Sequence, residues 1–70
     1  MVTISVFEKS SGKPRKGIKV TIGWAWGMQD SRTDNAGDAH FDHDSGQGKV
    51  YIDGREQYKG RISGRVIVYT

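Results

Sequence analysis

A chain of 70 residues with a formal net charge of +3 is long enough for a single domain. A domain of this size buries only about 60% of the surface that its unfolded chain exposes, so its stability is small. Because the chain contains no cysteine, neither a disulfide framework nor a thiolate zinc site can reinforce it.

Valine, isoleucine, threonine and aromatic residues fall in short runs between turns that contain glycine, a pattern typical of β-strands. With ten glycines, one proline and little alanine or leucine, we expect almost no helix. The first run is 2–7, where Val2, Ile4 and Val6 alternate with polar residues and predict a strand with one buried face. A polar loop over 10–17 follows it.

The second predicted strand is the longest, because the alternation of apolar residues continues over 18–26. Its apolar face would consist of Ile18, Val20, Ile22, Trp24 and Trp26. The position of Trp24 within this stripe predicts that its indole packs in the core. The stripe spans about 13 Å, which brings Trp26 to the rim of the sandwich. The pattern therefore leaves open whether the Trp26 indole is buried or exposed.

Residues 28–33 and 38–42 are predicted to pair as a hairpin around a tight turn at 34–37. Asp34 can bond its own backbone in such a turn, and Gly37 can adopt positive φ without steric cost. The chain therefore reverses its direction at this turn.

The strand after this turn has an apolar face, formed by Ala39 and Phe41, and a polar face that begins at His40. On that polar face, His40, Asp42 and Asp44 can offer a nitrogen and two carboxylate oxygens to a divalent cation. No cysteine or second histidine shares the face, and the spacing is not that of a metal-binding motif. We therefore favour a solvated polar face and expect no metal and no cofactor.

The next loop and strand are predicted at 44–48 and 49–53. Alternation along the strand directs Val50 and Ile52 into the core and Tyr51 outward. Tyr51 is therefore a candidate surface aromatic residue.

Residues 55–60 are too polar to assign firmly to a strand, although Tyr58 can close one end of a sandwich. The last strand, 65–70, is apolar on both faces, because Ile67 and Tyr69 lie opposite its valines. Two apolar faces are typical of a central strand, or of a strand whose outer face another molecule covers.

Six or seven short strands without a helix indicate an all-β fold in which 1–70 forms a single domain. We predict a small antiparallel Greek-key β-sandwich of the Ig-like type. A five-stranded barrel usually needs longer strands and often a helix between them, and neither is visible in the pattern.

Three segments in order match a known pattern. They are Gly-Ile-Lys-Val-Thr-Ile at 17–22, Thr-Asp-x-x-Gly-x-Ala-x-Phe at 33–41 and Gly-Lys-Val-Tyr-Ile-Asp-Gly at 48–54. On these segments the chain resembles the transthyretin-like (prealbumin-like) sandwich domains, especially the carboxypeptidase regulatory-like and collagen-adhesin B-type repeats. The resemblance implies a non-catalytic seven-stranded module that serves as a spacer, folding aid or binding surface. It also implies an extracellular or periplasmic setting and brings no catalytic residue.

Charged residues are segregated along the chain, with a basic stretch over 9–19 and an acidic stretch over 30–44. A two-sided surface favours oriented docking or self-association over binding to a polyanion, which needs one continuous basic face. No apolar run approaches the roughly 18 residues that cross a bilayer, and the N-terminus lacks the pattern of a secretion signal. We therefore expect a soluble domain that does not bind a membrane.

We expect a non-catalytic interaction module that binds a protein partner through an exposed sheet face or edge. The sequence contains no nucleophile elbow, phosphate loop or zinc-protease motif, so we do not expect an enzyme. A homodimer formed by pairing edge strands is a further possibility, because 65–70 carries few charges. The candidate binding residues are Trp26, Tyr51, Tyr69, Lys13, Arg15 and Lys16.

Two other kinds of ligand are alternatives to a protein partner. A carbohydrate can stack on a platform formed by Trp26 with Tyr51 or Tyr58. A nucleic acid can contact the basic stretch over 9–19, but this stretch lacks the interleaved aromatic residues of nucleic-acid binding segments, and we disfavour it.

Overall fold

The computed structural model describes all 70 residues and contains seven β-strands in two sheets. The order of the strands is β4-β1-β7 in the three-stranded sheet and β3-β2-β5-β6 in the four-stranded sheet. None of its elements is a helix long and apolar enough to span a membrane. The strands are β1 (Val2–Phe7), β2 (Lys19–Trp24), β3 (Gly27–Arg32), β4 (Asp38–Phe41), β5 (Gly46–Ile52), β6 (Arg55–Ile62) and β7 (Arg65–Tyr69).

One hydrophobic core lies between the two sheets, as the alternation of apolar residues predicts. The valines and isoleucines at alternate positions of β1, β2 and β5 are buried, and so are Ala39 and Phe41 of β4. The all-β class and the inward faces of these strands are therefore confirmed. The twelve core residues are Val2, Ile4, Val6, Val20, Ile22, Trp24, Ala39, Phe41, Val50, Ile52, Ile62 and Val68.

The predicted hairpin of 28–33 with 38–42 is wrong. β3 pairs with β2 in the four-stranded sheet, whereas β4 pairs with β1 in the other sheet. Thr33 holds the end of β3 beside the start of β2, because its N–H donates to the Ile18 carbonyl and its hydroxyl to the Arg15 carbonyl. The turn at 34–37 does form, but it carries the chain from one sheet to the other.

The second strand is shorter than predicted and ends at Trp24, where Ala25 and Trp26 form the turn to β3. Only 7% of the Trp24 surface is exposed, whereas 63% of the Trp26 surface is exposed. The prediction of a core Trp24 is therefore confirmed, and the open question about Trp26 is answered by a surface position.

β5 begins at Gly46 and therefore includes residues that the sequence assigns to a loop. A Cβ atom at Gly46 would lie 3.5 Å from Trp24 Cζ3, and one at Gly48 would lie 3.1 Å from Ile62 Cδ1. These two glycines face the core and leave room for large side chains, which is why they occur within a strand. The unassigned polar segment after them forms most of β6, the longest strand.

β7 lies at the edge of the three-stranded sheet and runs parallel to β1. The central position that two apolar faces favoured is therefore wrong, as is the prediction that every strand pair is antiparallel. Val68 is buried, but 52% of the Ile67 surface and 55% of the Tyr69 surface are exposed. The second apolar face of β7 is thus open to solvent.

The turn between the sheets depends on the ionised side chain of Asp34. Its Oδ1 accepts hydrogen bonds from the backbone N–H groups of Asp38 (3.0 Å) and Ala36 (2.9 Å). The bond from Asp38 is the main cause that lowers the pKa of Asp34 below its usual value, and the bond from Ala36 and the nearby His40 add to it.

The lowered pKa of Asp34 gives a prediction for the variant Asp34→Asn. Because the pKa is lower in the folded chain than in the unfolded chain, the ionised carboxylate stabilises the fold above about pH 4. This contribution is lost as the pH falls through the folded-state pKa. We expect Asp34→Asn to be less stable than the parent in urea unfolding at pH 7, and the difference to shrink at acidic pH. A difference that is constant with pH would contradict this role for the charge.

Candidate functional site

An open groove on the outer face of the four-stranded sheet, lined in part by Trp26, Met28 and Tyr51, is the candidate site. Its floor contains Gly23, whose neighbours across the strands are Met28 and Lys49. A Cβ atom at Gly23 would lie 3.5 Å from Tyr51 Cε1 and 3.9 Å from Met28 Cε. The glycine therefore leaves a shallow apolar depression between larger side chains.

His43 holds the Trp26 indole at the end of this groove. The imidazole stacks on the buried Trp24 ring, with centroids 3.8 Å apart and an angle of 15° between the planes. Trp26 lies 5.7 Å from the same imidazole at 23°. The imidazole therefore lies between the two indoles and connects the exposed Trp26 to the buried Trp24.

The hydrogen bonds of His43 define its neutral tautomer. Trp26 Nε1–H donates to His43 Nε2 over 2.9 Å, so Nε2 carries no proton. Nδ1 lies at hydrogen-bonding distance from the Asp44 carbonyl oxygen, which can only accept. The proton therefore resides on Nδ1, and the neutral ring orients Trp26.

Replacement of His43 tests this arrangement. We expect His43→Ala to shift the tryptophan emission to longer wavelength and to increase its quenching by iodide, because the Trp26 indole loses its partner. The lost stacking on Trp24 should lower the free energy of unfolding by about 1 kcal/mol. His40→Ala is the control, because His40 does not contact either indole. An unchanged spectrum in His43→Ala would contradict the role of the imidazole.

Positive charge surrounds the apolar part of the groove. Lys49 and Lys59 face each other across β5 and β6 and line the groove. Lys49 Nζ lies 3.9 Å from Glu56 Oε1, whereas no carboxylate lies within 4.0 Å of Lys59. The pairing of the strands places these cations on the outer face of the sheet: Lys19, Arg32, Lys49, Lys59 and Arg61. Its carboxylates are Asp30 and Glu56. The face is therefore net positive.

The structure separates the six candidate binding residues into two groups. Trp26 and Tyr51 line the same groove, as the carbohydrate alternative requires. Tyr69 and Arg15 lie at the opposite end of the sandwich beside Thr70, whose hydroxyl accepts a hydrogen bond from Arg15 Nη1 at 2.6 Å. Lys13 and Lys16 are exposed on the loop near that end.

Tyr58, the other possible partner of Trp26 in a stacking platform, does not lie in the groove. Its ring packs against the core, and its hydroxyl donates to the Arg61 carbonyl oxygen over 2.7 Å. A platform on this face therefore consists of Trp26 and Tyr51 only.

The histidine and carboxylates that the sequence places on one polar face are grouped differently in the structure. Asp34, Asp38 and His40 have ligand atoms within 4.8 Å of one another. Each of these groups has partners within the chain. Asp38 accepts a hydrogen bond from Ser5, and Arg65 Nη2 lies 3.5 Å from its other oxygen. These contacts within the chain explain why Asp34, Asp38 and His40 lie together, and the cluster is part of the polar surface.

Sequence reasoning missed four residues of the site: Met28, Lys49, Lys59 and His43. Met28 was visible as an apolar residue in a polar strand, which is a signal for a surface contact. The two lysines and the histidine gave no local signal, because their position at the groove depends on the pairing of distant strands.

Comparison of the chain with models of known protein families, with curated proteins and with solved structures found no match. The function is therefore inferred from the geometry and chemistry of the groove.

Proposed function

We propose that this domain is a non-catalytic interaction module that binds an acidic protein segment on the outer face of its four-stranded sheet. The observation that carries the proposal is the exposure of Trp26 and Met28 beside the glycine floor of a groove with lysines along it. The surfaces of Trp26 and Met28 are 63% and 65% exposed. Large apolar side chains that are grouped and exposed are typical of interaction surfaces.

The side chains at the groove support a protein partner of a defined chemistry. The depression over Gly23 can accept an apolar side chain, and the flexible Met28 thioether can adapt to its shape. Lys59 has no carboxylate partner in the chain and can pair with an aspartate or glutamate of the ligand. The ligand class is therefore an extended segment that combines acidic and apolar residues.

The lining of the groove supports binding rather than catalysis. It contains tryptophan, methionine, lysine, glutamine and tyrosine side chains but no carboxylate or cysteine, and both nitrogens of the neighbouring His43 are engaged by Trp26 and Asp44. The groove therefore lacks the acid and base pair that general acid–base catalysis requires. It is also open to solvent, and an open groove does not shelter groups from water.

A carbohydrate is the second candidate ligand, because Trp26 and Tyr51 line the same groove. Aromatic faces can stack on the apolar face of a sugar ring. Sugar binding would depend on Trp26 and Tyr51 but only weakly on salt, whereas binding to an acidic segment would weaken as salt screens the lysines.

We also propose that the domain belongs to the transthyretin-like sandwich class, with the Greek-key connectivity that this class implies. Seven strands in two sheets and the turn that contains Gly37 support this assignment. The carboxypeptidase regulatory-like modules, which the sequence resembles, would then be functional counterparts with a binding or spacer role.

Fluorescence anisotropy of a labelled peptide, a signal that does not depend on Trp26, can test the proposed function. The probe is a synthetic peptide in which aspartate or glutamate alternates with leucine, and the control peptide has lysine at the acidic positions. We expect saturable binding of the acidic peptide only, loss of at least about tenfold in affinity in Trp26→Ala, and weakening by salt. A panel of glycans is titrated in parallel.

Matched variants distinguish the outcomes. Lys59→Gln should weaken peptide binding, whereas Lys16→Gln, a change of the same kind at the opposite end, should not. Binding of a glycan without binding of the acidic peptide would overturn the first candidate in favour of the second. Equal binding of both peptides would also overturn it.

A further inference from the structure

The free edge of the three-stranded sheet has the features of a self-complementary interface. We propose that two copies of this chain associate by antiparallel pairing of β7 with β7 about a two-fold axis at Ile67. The combined sheet would have the order β4-β1-β7-β7-β1-β4. This inference does not depend on the proposed function, because the groove lies on the other sheet.

The backbone of β7 presents unused hydrogen-bonding groups in a fixed register. β7 pairs with β1 only, and the register places Arg65 opposite Thr3 and Ile67 opposite Ser5. Thr3 N–H donates to the Gly64 carbonyl, and Thr70 N–H donates to the Phe7 carbonyl. In this parallel ladder the even-numbered residues of β7 bond to β1. The N–H and C=O groups of Arg65, Ile67 and Tyr69 therefore point away from the sheet.

These free groups match a second copy in one symmetric register. With Ile67 opposite Ile67 of the second copy, Arg65 lies opposite Tyr69 of the second copy, and the converse pair forms as well. All three facing pairs are of the hydrogen-bonded type, so about six backbone hydrogen bonds can form. Ile67 is the middle residue of β7, so in this register the two strands overlap along their whole length.

The side chains agree with the same register. Ile67 and Tyr69 are half exposed on the outer face of the sheet, and Phe7 lies beside Tyr69 with ring centroids 5.8 Å apart. Pairing would bury Ile67 against its copy and place each Arg65 opposite a Tyr69 ring, where a cation–π contact of the guanidinium would replace its ion pair with Asp38. No like charges oppose each other, because the two Arg65 residues lie at opposite ends of the interface.

The other edge strands are less suited to pairing. β3, β4 and β6 also lie at sheet edges, and their outer faces carry charged residues such as Asp30, Asp38 and Lys59. Charged side chains along an edge disfavour its pairing with a second sheet. β7 has a single charged residue, Arg65, at its end.

The pairing of two short strands buries a small area, so we expect a dimer with an affinity in the micromolar range. Such a dimer would present two grooves to a partner. A repetitive partner would then bind with higher avidity than the isolated groove allows.

Cysteine crosslinking tests the register, because the chain has no cysteine of its own. In the proposed dimer the two Ile67 Cα atoms lie about 5.5 Å apart, within reach of a disulfide, whereas the two Arg65 Cα atoms lie more than about 12 Å apart. We expect Ile67→Cys to form a covalent dimer rapidly under mild oxidation. Arg65→Cys should do so slowly, but a mixture of Arg65→Cys with Tyr69→Cys should form the mixed disulfide.

Sedimentation velocity gives an independent test with the intact chain and with Ile67→Lys. We expect the parent to sediment as a monomer–dimer mixture that depends on concentration, and Ile67→Lys to remain a monomer, because two ammonium groups would meet on the axis. Ile67→Thr keeps the β-branched shape and adds no charge, so it shows whether a substitution at this position by itself impairs folding. A parent chain that stays monomeric at high micromolar concentration would overturn the proposal. Equal crosslinking rates of Ile67→Cys and Arg65→Cys would also overturn it.

Discussion

Replacing Gly37 with alanine should destabilise the fold by more than about 3 kcal/mol, the largest effect that we expect from adding a single methyl group. Gly37 has a φ of +82°, a conformation that an L side chain rarely adopts. A Cβ atom there would lie 2.7 Å from the Val6 carbonyl oxygen and 2.9 Å from Pro14 Cβ.

The neighbours of Gly37 cannot easily move away. Val6 belongs to the central strand of the three-stranded sheet, and its N–H donates to the Gly37 carbonyl oxygen over 2.8 Å. Pro14 is tied to Phe7 by an isolated bridge. A methyl group would therefore push the turn at 34–37, which connects the two sheets, away from β1. Unfolding in urea, followed by circular dichroism, should measure the resulting loss in the free energy of unfolding.

Gly12→Ala is the matched control for Gly37→Ala. Gly12 has a similar φ of +73°, but a Cβ atom there would meet no atom within 4 Å. Only the backbone strain of about 1–2 kcal/mol applies to this variant. Equal losses in the two variants would show that strain alone acts at Gly37 and would contradict the close contact with β1.

Trp24→Ala should lower the free energy of unfolding by about 3–5 kcal/mol. The indole is buried at one end of the core, stacks on His43 and donates from Nε1 to Gln29 Oε1 over 3.1 Å. Gly46 faces the same ring and cannot fill the cavity that the indole leaves. For a domain of this length such a loss is a large part of the total stability, so thermal unfolding should move to a much lower temperature.

Trp26→Ala makes the same chemical change two residues further along the chain. Because the Trp26 indole is mostly exposed, we expect a loss of less than about 1 kcal/mol and a folded domain. The pair separates the core from the binding surface, because Trp24→Ala should reduce stability and Trp26→Ala should reduce ligand binding. Comparable losses of stability would contradict the assignment of Trp26 to the surface.

The role of each tryptophan illustrates the limit of a local pattern. Alternation places Trp24 and Trp26 on the same side of an extended strand, but the chain turns at Ala25, and the two indoles have different environments. Gly27 follows the pair, and a glycine at the end of a run of alternating residues is typical of a strand that ends or bends. The alternation of apolar residues does not show where the strand bends, because every residue of the stripe, including Trp26, follows the same period of two.

The sequence alone determined that the protein is all-β, which residues of β1, β2, β4 and β5 face the core, and where the turn at Gly37 lies. These properties are local, because the side chains of a strand alternate with a period of two and a positive φ selects glycine.

Only the tertiary structure decided that β3 and β4 belong to different sheets, that β7 is an edge strand parallel to β1, and that His43 stacks on Trp24 while it accepts a hydrogen bond from Trp26. It also decided that residues of four strands and a turn meet at the groove. The hydrogen-bonding partner of a strand depends on how distant segments pack together to bury their apolar faces, and alternation within one segment carries no information about that choice.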